Sequence, residues 1–281
     1  MKVLVTGGAG FIGANLIKRL VSEGHQVESL DDYSIGLKSN EVNGCTYTEL
    51  DIEQIHKMGG DYDLCFHLAG LSRIQPSFND PMETFRVNTE GTQMVMEWAL
   101  KNDVKVIYAG SSSKHHDPYQ SPYATYKYLG EEICKMYRKV YDLHIDIVRF
   151  YNVYGLGEVV DGDWAAVIGI WRRQVRDGEP LTIVGDGEQR RDFTHVDDIV
   201  DGLIKISKLD YYHEDAWELG TGVNYSINEV AQMFVDKFGC ELNYVPAQNG
   251  NYRETLRESD DSLEKLNWSS TDKLKEYIDS L

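Results

Sequence analysis

Three side chains in this sequence could together move a proton off a hydroxyl group. Tyr123 and Lys127 stand four residues apart in Tyr123-Ala124-Thr125-Tyr126-Lys127, a spacing that puts both on one face of a helix. A nearby ammonium favours the phenolate, and a phenol tuned in this way can act as a general base near neutral pH. The chain has 18 tyrosines but no other Tyr-x-x-x-Lys. Ser111 opens the triplet Ser111-Ser112-Ser113, which follows the apolar run Val104–Ala109 and Gly110. A serine hydroxyl at the carboxyl end of a strand can hold the hydroxyl of a reacting ligand. The competing reading of an isolated Tyr-Lys pair is a surface helix contact, and the serine triplet just upstream weighs against it.

The first residues describe a second site, one suited to a dinucleotide. Thr6-Gly7-Gly8-Ala9-Gly10-Phe11-Ile12-Gly13 joins an apolar strand to an amphipathic helix. It reads as G-x-x-G-x-x-G (Gly7, Gly10, Gly13) or as G-x-G-x-x-G (Gly8, Gly10, Gly13). Either way the chain turns tightly, the backbone can approach a pyrophosphate, and the N–H groups of the helix start face it. The context is a strand before, a helix after and an acid at the end of the next strand. That acid is Asp31, followed by Asp32. A carboxylate there accepts from both ribose hydroxyls and disfavours a 2′-phosphate, so NAD is expected rather than NADP. Phe11 and Ile12 belong to the same cofactor turn. Asp51 and Ile52 are placed to contact the adenine. In His67-Leu68-Ala69-Gly70, Leu68 and Ala69 leave room for the cofactor at a strand end. His67 itself reads as a packed, hydrogen-bonded histidine with no chemistry.

The elements that must position these groups alternate. Strands are expected at Lys2–Val5, Gln26–Leu30, Asp63–His67, Val104–Ala109 and Ile145–Phe150, and helices at Asn15–Ser22, Pro81–Lys101 and Tyr123–Tyr141. Strands separated by helices imply an α/β fold, a Rossmann-type doubly wound parallel sheet with helices on both faces. Residues 1–155 are expected to form this NAD-binding domain. Residues 156–281 would form a smaller C-terminal α/β substrate-binding domain, with about 190–208 returning to the large one.

The 281 residues carry a formal net charge of −18. That argues against nucleic-acid binding and repels anionic nucleotides at long range, so a diphosphate substrate would need arginines gathered locally. No apolar stretch is long enough to span a membrane, and no signal peptide is apparent. The four scattered cysteines read as free thiols in a reducing cytoplasm, with no metal site.

Taken together, these residues resemble the NAD-dependent epimerase/dehydratase family of extended short-chain dehydrogenases/reductases, closest in motif to UDP-hexose 4-epimerases. The resemblance spans nearly the whole chain. It includes Thr6–Gly13, Asp31, His67–Ala69, Ile74-Gln75-Pro76-Ser77, Val87-Asn88-Thr89-Glu90-Gly91-Thr92, Ser111–Ser113 and Tyr123–Lys127. It continues through Arg149–Gly155, Gly185–Asp198, Leu219-Gly220-Thr221-Gly222 and Leu266-Asn267-Trp268. It implies Tyr123 as general base, Lys127 as its partner on the nicotinamide ribose, and Ser111 and Ser112 at the sugar. Asn88 would lie at the cofactor and Asn152 at the substrate. Arg191 would bind the diphosphate, with Arg253 or Arg257 as a second clamp. It further implies a homodimer made by packing two helices per subunit, here Pro81–Lys101 and Tyr123–Tyr141, into a four-helix bundle. The stripe Met94, Val95, Met96, Trp98 and Leu100 supports that expectation.

The resemblance also narrows the reaction. Dehydratases of this kind carry Asp-Glu directly after the hydroxyl residue, where this chain has Ser112-Ser113, and the glutamate of the decarboxylases is absent too. Interconversion at C4 through a 4-keto sugar needs no further acid or base, so 4-epimerisation leads. A lyase or another sugar-modifying reductase is the alternative, and a non-catalytic NAD-binding protein is a third. Lys114-His115-His116 replaces the family's usual turn, and the segment Ser113–Tyr123 is short. His115 and His116 are expected to be solvent-facing loop residues, the alternative being a proton-transfer group, since imidazole titrates near neutrality.

Overall fold

The computed structural model describes all 281 residues. The chain begins with β1 (Lys2–Thr6), α1 (Phe11–Ser22), β2 (Gln26–Asp31), β3 (Cys45–Glu49) and β4 (Leu64–His67). Next come α2 (Ile74–Asn79), α3 (Pro81–Phe85), α4 (Gly91–Asn102), β5 (Lys105–Ser111), α5 (Pro122–Tyr141), β6 (Ile145–Phe150) and β7 (Asn152–Tyr154). The remainder is α6 (Val167–Asp177), β8 (Leu181–Val184), β9 (Arg190–His195), α7 (Val196–Ser207), β10 (Trp217–Leu219), β11 (Asn224–Ser226), α8 (Ile227–Phe238), β12 (Leu242–Val245), α9 (Asp261–Lys265) and α10 (Leu274–Ser280).

Seven strands form one parallel sheet in the order β10-β6-β5-β4-β1-β2-β3. The order reverses between β1 and β4, which opens a crevice at their carboxyl ends. One face of the sheet packs on α1 and α7, through Leu16, Ile17, Leu20, Ile199, Leu203 and Trp217. The other packs on α4 and α5, through Val95, Met96, Trp98, Cys134 and Tyr137. Central strands buried on both faces read as continuous apolar runs, which made β1, β4, β5 and β6 visible in the sequence. Strand β3, CTYTE, has no such run and goes unpredicted. It is an edge strand, and its pairing with β2 makes it one. Strand β10 was likewise unforeseen, and the C-terminal half of the chain returns it to the edge of the large sheet beside β6.

The expected single helix Pro81–Lys101 is interrupted. Asp80 caps α3 by accepting from the Glu83 N–H at 2.9 Å, and Pro81 occupies its first turn. A π-helical turn then spans Arg86–Glu90 before α4. The stripe invoked for dimerisation also needs correction. Val95, Met96 and Trp98 are buried in the subunit's own core and Leu100 packs on it, leaving Met94 exposed.

Helix α5, which bears the Tyr-Lys pair, starts at Ser121, whose Oγ accepts from the Ala124 N–H at 3.1 Å, with Pro122 at the first position. Beneath it, Arg149 of β6 is 2% exposed and pairs with Glu131 of α5 at 2.8 Å, with Asp215 at 2.8 Å and with Glu218 of β10 at 3.4 Å. This network ties the helix to β6 and β10. A third core, including Trp171, Ile183, Phe193, Phe234 and Ile278, holds α6, α8 and α10 against β8 and β9. No helix is long and apolar enough to cross a membrane.

Candidate active site

A single cleft of about 700 Å³ runs along the carboxyl ends of the central strands and under the α6–β8 layer. At one end lie Gly7, Gly10 and Gly13 with Phe11 and Ile12. Gly7 has φ +73°, and a Cβ there would lie 2.8 Å from the Ala69 nitrogen. A Cβ on Gly13 would lie 2.2 Å from the Gly7 carbonyl oxygen. Both positions therefore require glycine. Gly8 faces Ser29 and Ile17 instead, so the cradle uses the Gly7, Gly10, Gly13 spacing. No side chain caps α1 at Gly10, which leaves its first-turn N–H groups available to a pyrophosphate.

Asp31 ends β2 beside this turn. Its two oxygens accept from the Ala9 N–H at 2.8 Å and the Tyr33 N–H at 2.9 Å. Burial raises its pKa, and those two N–H groups oppose the rise. Asp32 also borders the cleft, and its carboxylate accepts from the Ser34 N–H and hydroxyl. Leu68, Ala69 and Ile52 line the cofactor end. Asp51 does not: it pairs with Arg86 at 2.9 Å and accepts from the Glu53 N–H. Asn88 is 1% exposed and spends its amide on the Leu71 N–H and carbonyl, bracing the loop after β4 from behind. His67 is buried between Thr6 and Thr92, and burial lowers its pKa to about 3.

The Ser-Tyr-Lys set converges in the middle of the cleft. The Tyr123 hydroxyl donates to Ser111 Oγ at 3.2 Å, and Ser112 lies beside them on the lining. Burial raises the Tyr123 pKa, while the Ser111 hydrogen bond and the Arg73 charge lower it. Lys127 Nζ donates to the Ala109 carbonyl at 2.6 Å, and burial brings its pKa down to about 8. The ammonium is thus anchored at the end of β5, one helical turn from the phenol.

The other side of the cleft is lined by Asn152, Trp164 to Ile168, Thr182, Val184 and Arg191. Asn152 Nδ2 donates to the Asp192 carbonyl at 3.1 Å, leaving its carbonyl oxygen for a ligand. Arg191 donates to the Arg190 carbonyl at 2.7 Å and has no carboxylate partner, and burial lowers its pKa to about 10. Arg253 stands elsewhere. It is exposed, pairs with Asp186 at 2.9 Å and does not reach the cleft. Arg257 pairs with Asp260 and also lies outside. The C-terminal stretch instead reaches the cleft through Gln248, Asn251 and Tyr252.

Two residues that the motifs did not single out matter here. Arg73 borders the cleft just after β4, and only its position beyond a strand's carboxyl end could have flagged it. Tyr252 is 8% exposed, and its hydroxyl has no hydrogen-bond partner. Its ring stacks on His116 at 4.1 Å between centroids, so His116 is not a solvent-facing loop residue. Nor is His115, which is hydrogen-bonded to the buried carboxylate of Glu218. The short loop after the serines is therefore pinned from below by His115 and forms, through His116, part of the wall behind Tyr252.

Comparison with known proteins agrees with this geometry. Residues 3–220 match the NAD dependent epimerase/dehydratase family. The chain is 30% identical over 304 residues to the UDP-glucose 4-epimerase of Mycolicibacterium smegmatis, covering 99% of this chain and 96% of that one. It is 32% identical over 254 residues to the UDP-N-acetyl-alpha-D-glucosaminuronate decarboxylase of Bacillus cytotoxicus, covering 82% and 78%. The crystal structure of the Thermotoga maritima UDP-glucose 4-epimerase with UDP-glucose superposes with a TM-score of 0.90 at 27% identity, covering 99% and 96%. The chain therefore belongs to the NAD-dependent epimerase/dehydratase family, with NAD as its cofactor.

Proposed function

We propose that this chain is an NAD-dependent nucleotide-sugar 4-epimerase, with a UDP-hexose as its substrate. The observation that carries the reading is the Ser111-Tyr123-Lys127 set, closed by Ser112 and Ser113 where elimination chemistry would need an acid and a base. In this reading the Ser111 hydroxyl donates to the sugar's C4 hydroxyl oxygen and so turns that hydroxyl's own proton toward Tyr123. The Tyr123 phenolate takes the hydroxyl proton. Lys127, fixed on the Ala109 carbonyl, supplies the positive charge that stabilises the phenolate. NAD held by the Gly7–Gly13 turn and Asp31 would supply the hydride acceptor and donor for C4. Asn152 and Arg191 hold the nucleotide part while the 4-keto sugar turns its other face, and Tyr123 then gives the proton back. No group other than Tyr123 needs to exchange a proton.

Two copies of the chain would pair through α4 and α5. Support comes from the apolar side chains left exposed around these helices: Met82, Met94, Met136, Val140 and Tyr141. A monomeric mass across a wide concentration range would remove that part of the reading.

The deciding experiment incubates the protein and NAD⁺ with UDP-, dTDP-, GDP- and ADP-hexoses and follows each by proton NMR. Conversion between C4 epimers without change of mass is the expected result. A 4-keto or decarboxylated product would make the chain a lyase. Unchanged sugars with NAD bound would point to a binding role.

A further inference from the structure

An anionic substrate must approach a chain whose net charge is −18, so its binding depends on positive groups left unneutralised in the cleft. Arginines in this fold are almost all ion-paired: Arg19, Arg86, Arg149, Arg172, Arg173, Arg176, Arg190, Arg253 and Arg257 each lie within salt-bridge distance of a carboxylate. Arg138 has none; its Nε and Nη1 donate to the backbone carbonyls of Ile145, His213, Glu214 and Asp215, its guanidinium lies over the Tyr212 ring, and it is not on the cleft. Arg191 and Arg73 also lack a carboxylate within salt-bridge distance, and of the three only these two line the cleft.

Arg73 is held in a defined pose. Its Nε donates to the Trp164 carbonyl at 2.9 Å and its Nη1 makes a long contact of 3.4 Å to the Ser72 carbonyl, leaving Nη2 with no protein acceptor. Glu158, the carboxylate whose charge reaches it, lies beyond salt-bridge distance: its Oε1 holds Arg172 at 3.0 Å and the Tyr277 hydroxyl at 3.0 Å, and its buried Oε2 has no partner. Burial lowers the Arg73 pKa, and the Tyr123 and Glu158 charges offset this only in part. These two guanidinium groups are distributed along the cleft, which the Lys127 ammonium also lines. Arg73 is the one felt by the Tyr123 phenol, whereas Arg191 is coupled to Tyr252. A desolvated guanidinium with a free fork edge and no counter-ion is a ready partner for a phosphate or a carboxylate. An arriving oxyanion would relieve the cost of burying it.

We propose that Arg73 is a substrate-recognition residue that binds an oxyanion of the nucleotide sugar, either a phosphate of its diphosphate or a carboxylate carried by the sugar. It takes the place that the sequence motif offered to Arg253. The inference rests on the nucleotide-sugar reading of the cleft but not on which reaction follows, so it is tested by binding rather than by turnover.

The test uses the full chain with NAD bound and isothermal titration of three probes: the tightest-binding nucleoside diphosphate of UDP, dTDP, GDP and ADP, its neutral hexose conjugate and its hexuronate conjugate. Arg73→Gln should weaken at least one probe about ten- to a hundred-fold, the range for a hydrogen bond to a charged group. Arg73→Lys, which keeps the charge and guards against a folding defect, should fall between wild type and Arg73→Gln. Equal weakening of all three probes identifies the phosphate. Weakening of the hexuronate conjugate alone identifies the carboxylate. The proposal is overturned if all three affinities stay within threefold of wild type, if both conjugates weaken while the free diphosphate does not, or if only NAD affinity falls. Failure of the wild-type chain to bind any probe overturns it together with the nucleotide-sugar reading, whereas absence of 4-epimerisation with normal binding touches only the reaction.

Discussion

His115 should act as a pH-dependent latch on the loop beside the active site, and replacing it by Gln gives a stability change with a definite pH signature. Its side chain is 18% exposed and hydrogen-bonds Glu218, which is 2% exposed. The hydrogen bond to Glu218 raises the His115 pKa, and burial opposes the rise. The other charges facing it are Glu258 at 3.5 Å and Arg149, which itself lies 3.4 Å from Glu218. Burial would raise the Glu218 pKa, but bonds from His115, Tyr151 and the Glu258 N–H hold it down to about 2. Glu218 keeps the Tyr151 hydroxyl at 2.8 Å and the Glu258 and Ser259 N–H groups at 2.9 and 3.1 Å when His115 is removed. The loss is therefore that of one charged hydrogen bond, about 1.5–3 kcal/mol, rather than that of an orphaned buried ion. Because the folded-state pKa of His115 is raised, this stability is fully present below the unfolded histidine value of about 6.5 and disappears as pH rises through the folded value. Urea unfolding of wild type and His115→Gln at pH 5.5 and pH 9.5 should show the larger gap at the acid value. Equal gaps, or a gap that widens with pH, would refute the latch.

Three other outcomes follow from the site. Tyr123→Phe removes one 3.2 Å hydrogen bond, so unfolding stability should change by no more than about 1 kcal/mol. Epimer interconversion should drop about 10²- to 10⁴-fold with NAD affinity intact, and activity within tenfold of wild type would remove Tyr123 as the base. Asp31→Ala should weaken NAD binding and narrow the preference for NAD over NADP, read as a ratio of dissociation constants; an unchanged ratio would deny Asp31 the ribose. Tyr252→Phe deletes a buried hydroxyl without a protein partner. It should leave the melting temperature unchanged or raised and weaken sugar-nucleotide binding by about three- to ten-fold, the worth of an ordinary hydrogen bond; a fall in melting temperature with unchanged affinity would make the hydroxyl structural.

The cofactor end of the site was legible in the sequence because its chemistry is local. Gly7 to Gly13 are contiguous, Asp31 ends the next strand, and backbone sterics alone demand the two glycines whose Cβ would strike Ala69 and Gly7. Tyr123 and Lys127 are one helical turn apart, and the buried central strands announce themselves as apolar runs. Strand β3 escaped because an edge strand is defined by the partner it pairs with, and the π-helical turn at Arg86–Glu90 leaves no mark on the apolar pattern. Asp51 and Asn88 sat in the right motifs, yet their polar groups had nearer partners in Arg86 and Leu71.

By itself the sequence determined the α/β alternation, the dinucleotide cradle and the Ser-Tyr-Lys centre, each carried by residues a few positions apart. Only the tertiary structure decided which charges remain free. Arg253 and Asp186 are 67 residues apart and neutralise each other. His115 and Glu218 are separated by 103 and meet under the catalytic helix. Arg73 is left on the cleft with no carboxylate within salt-bridge distance, while Glu158 pairs with Arg172. An ion pair depends on distance in space, which falls off independently of distance along the chain, so no spacing rule could have assigned these partners.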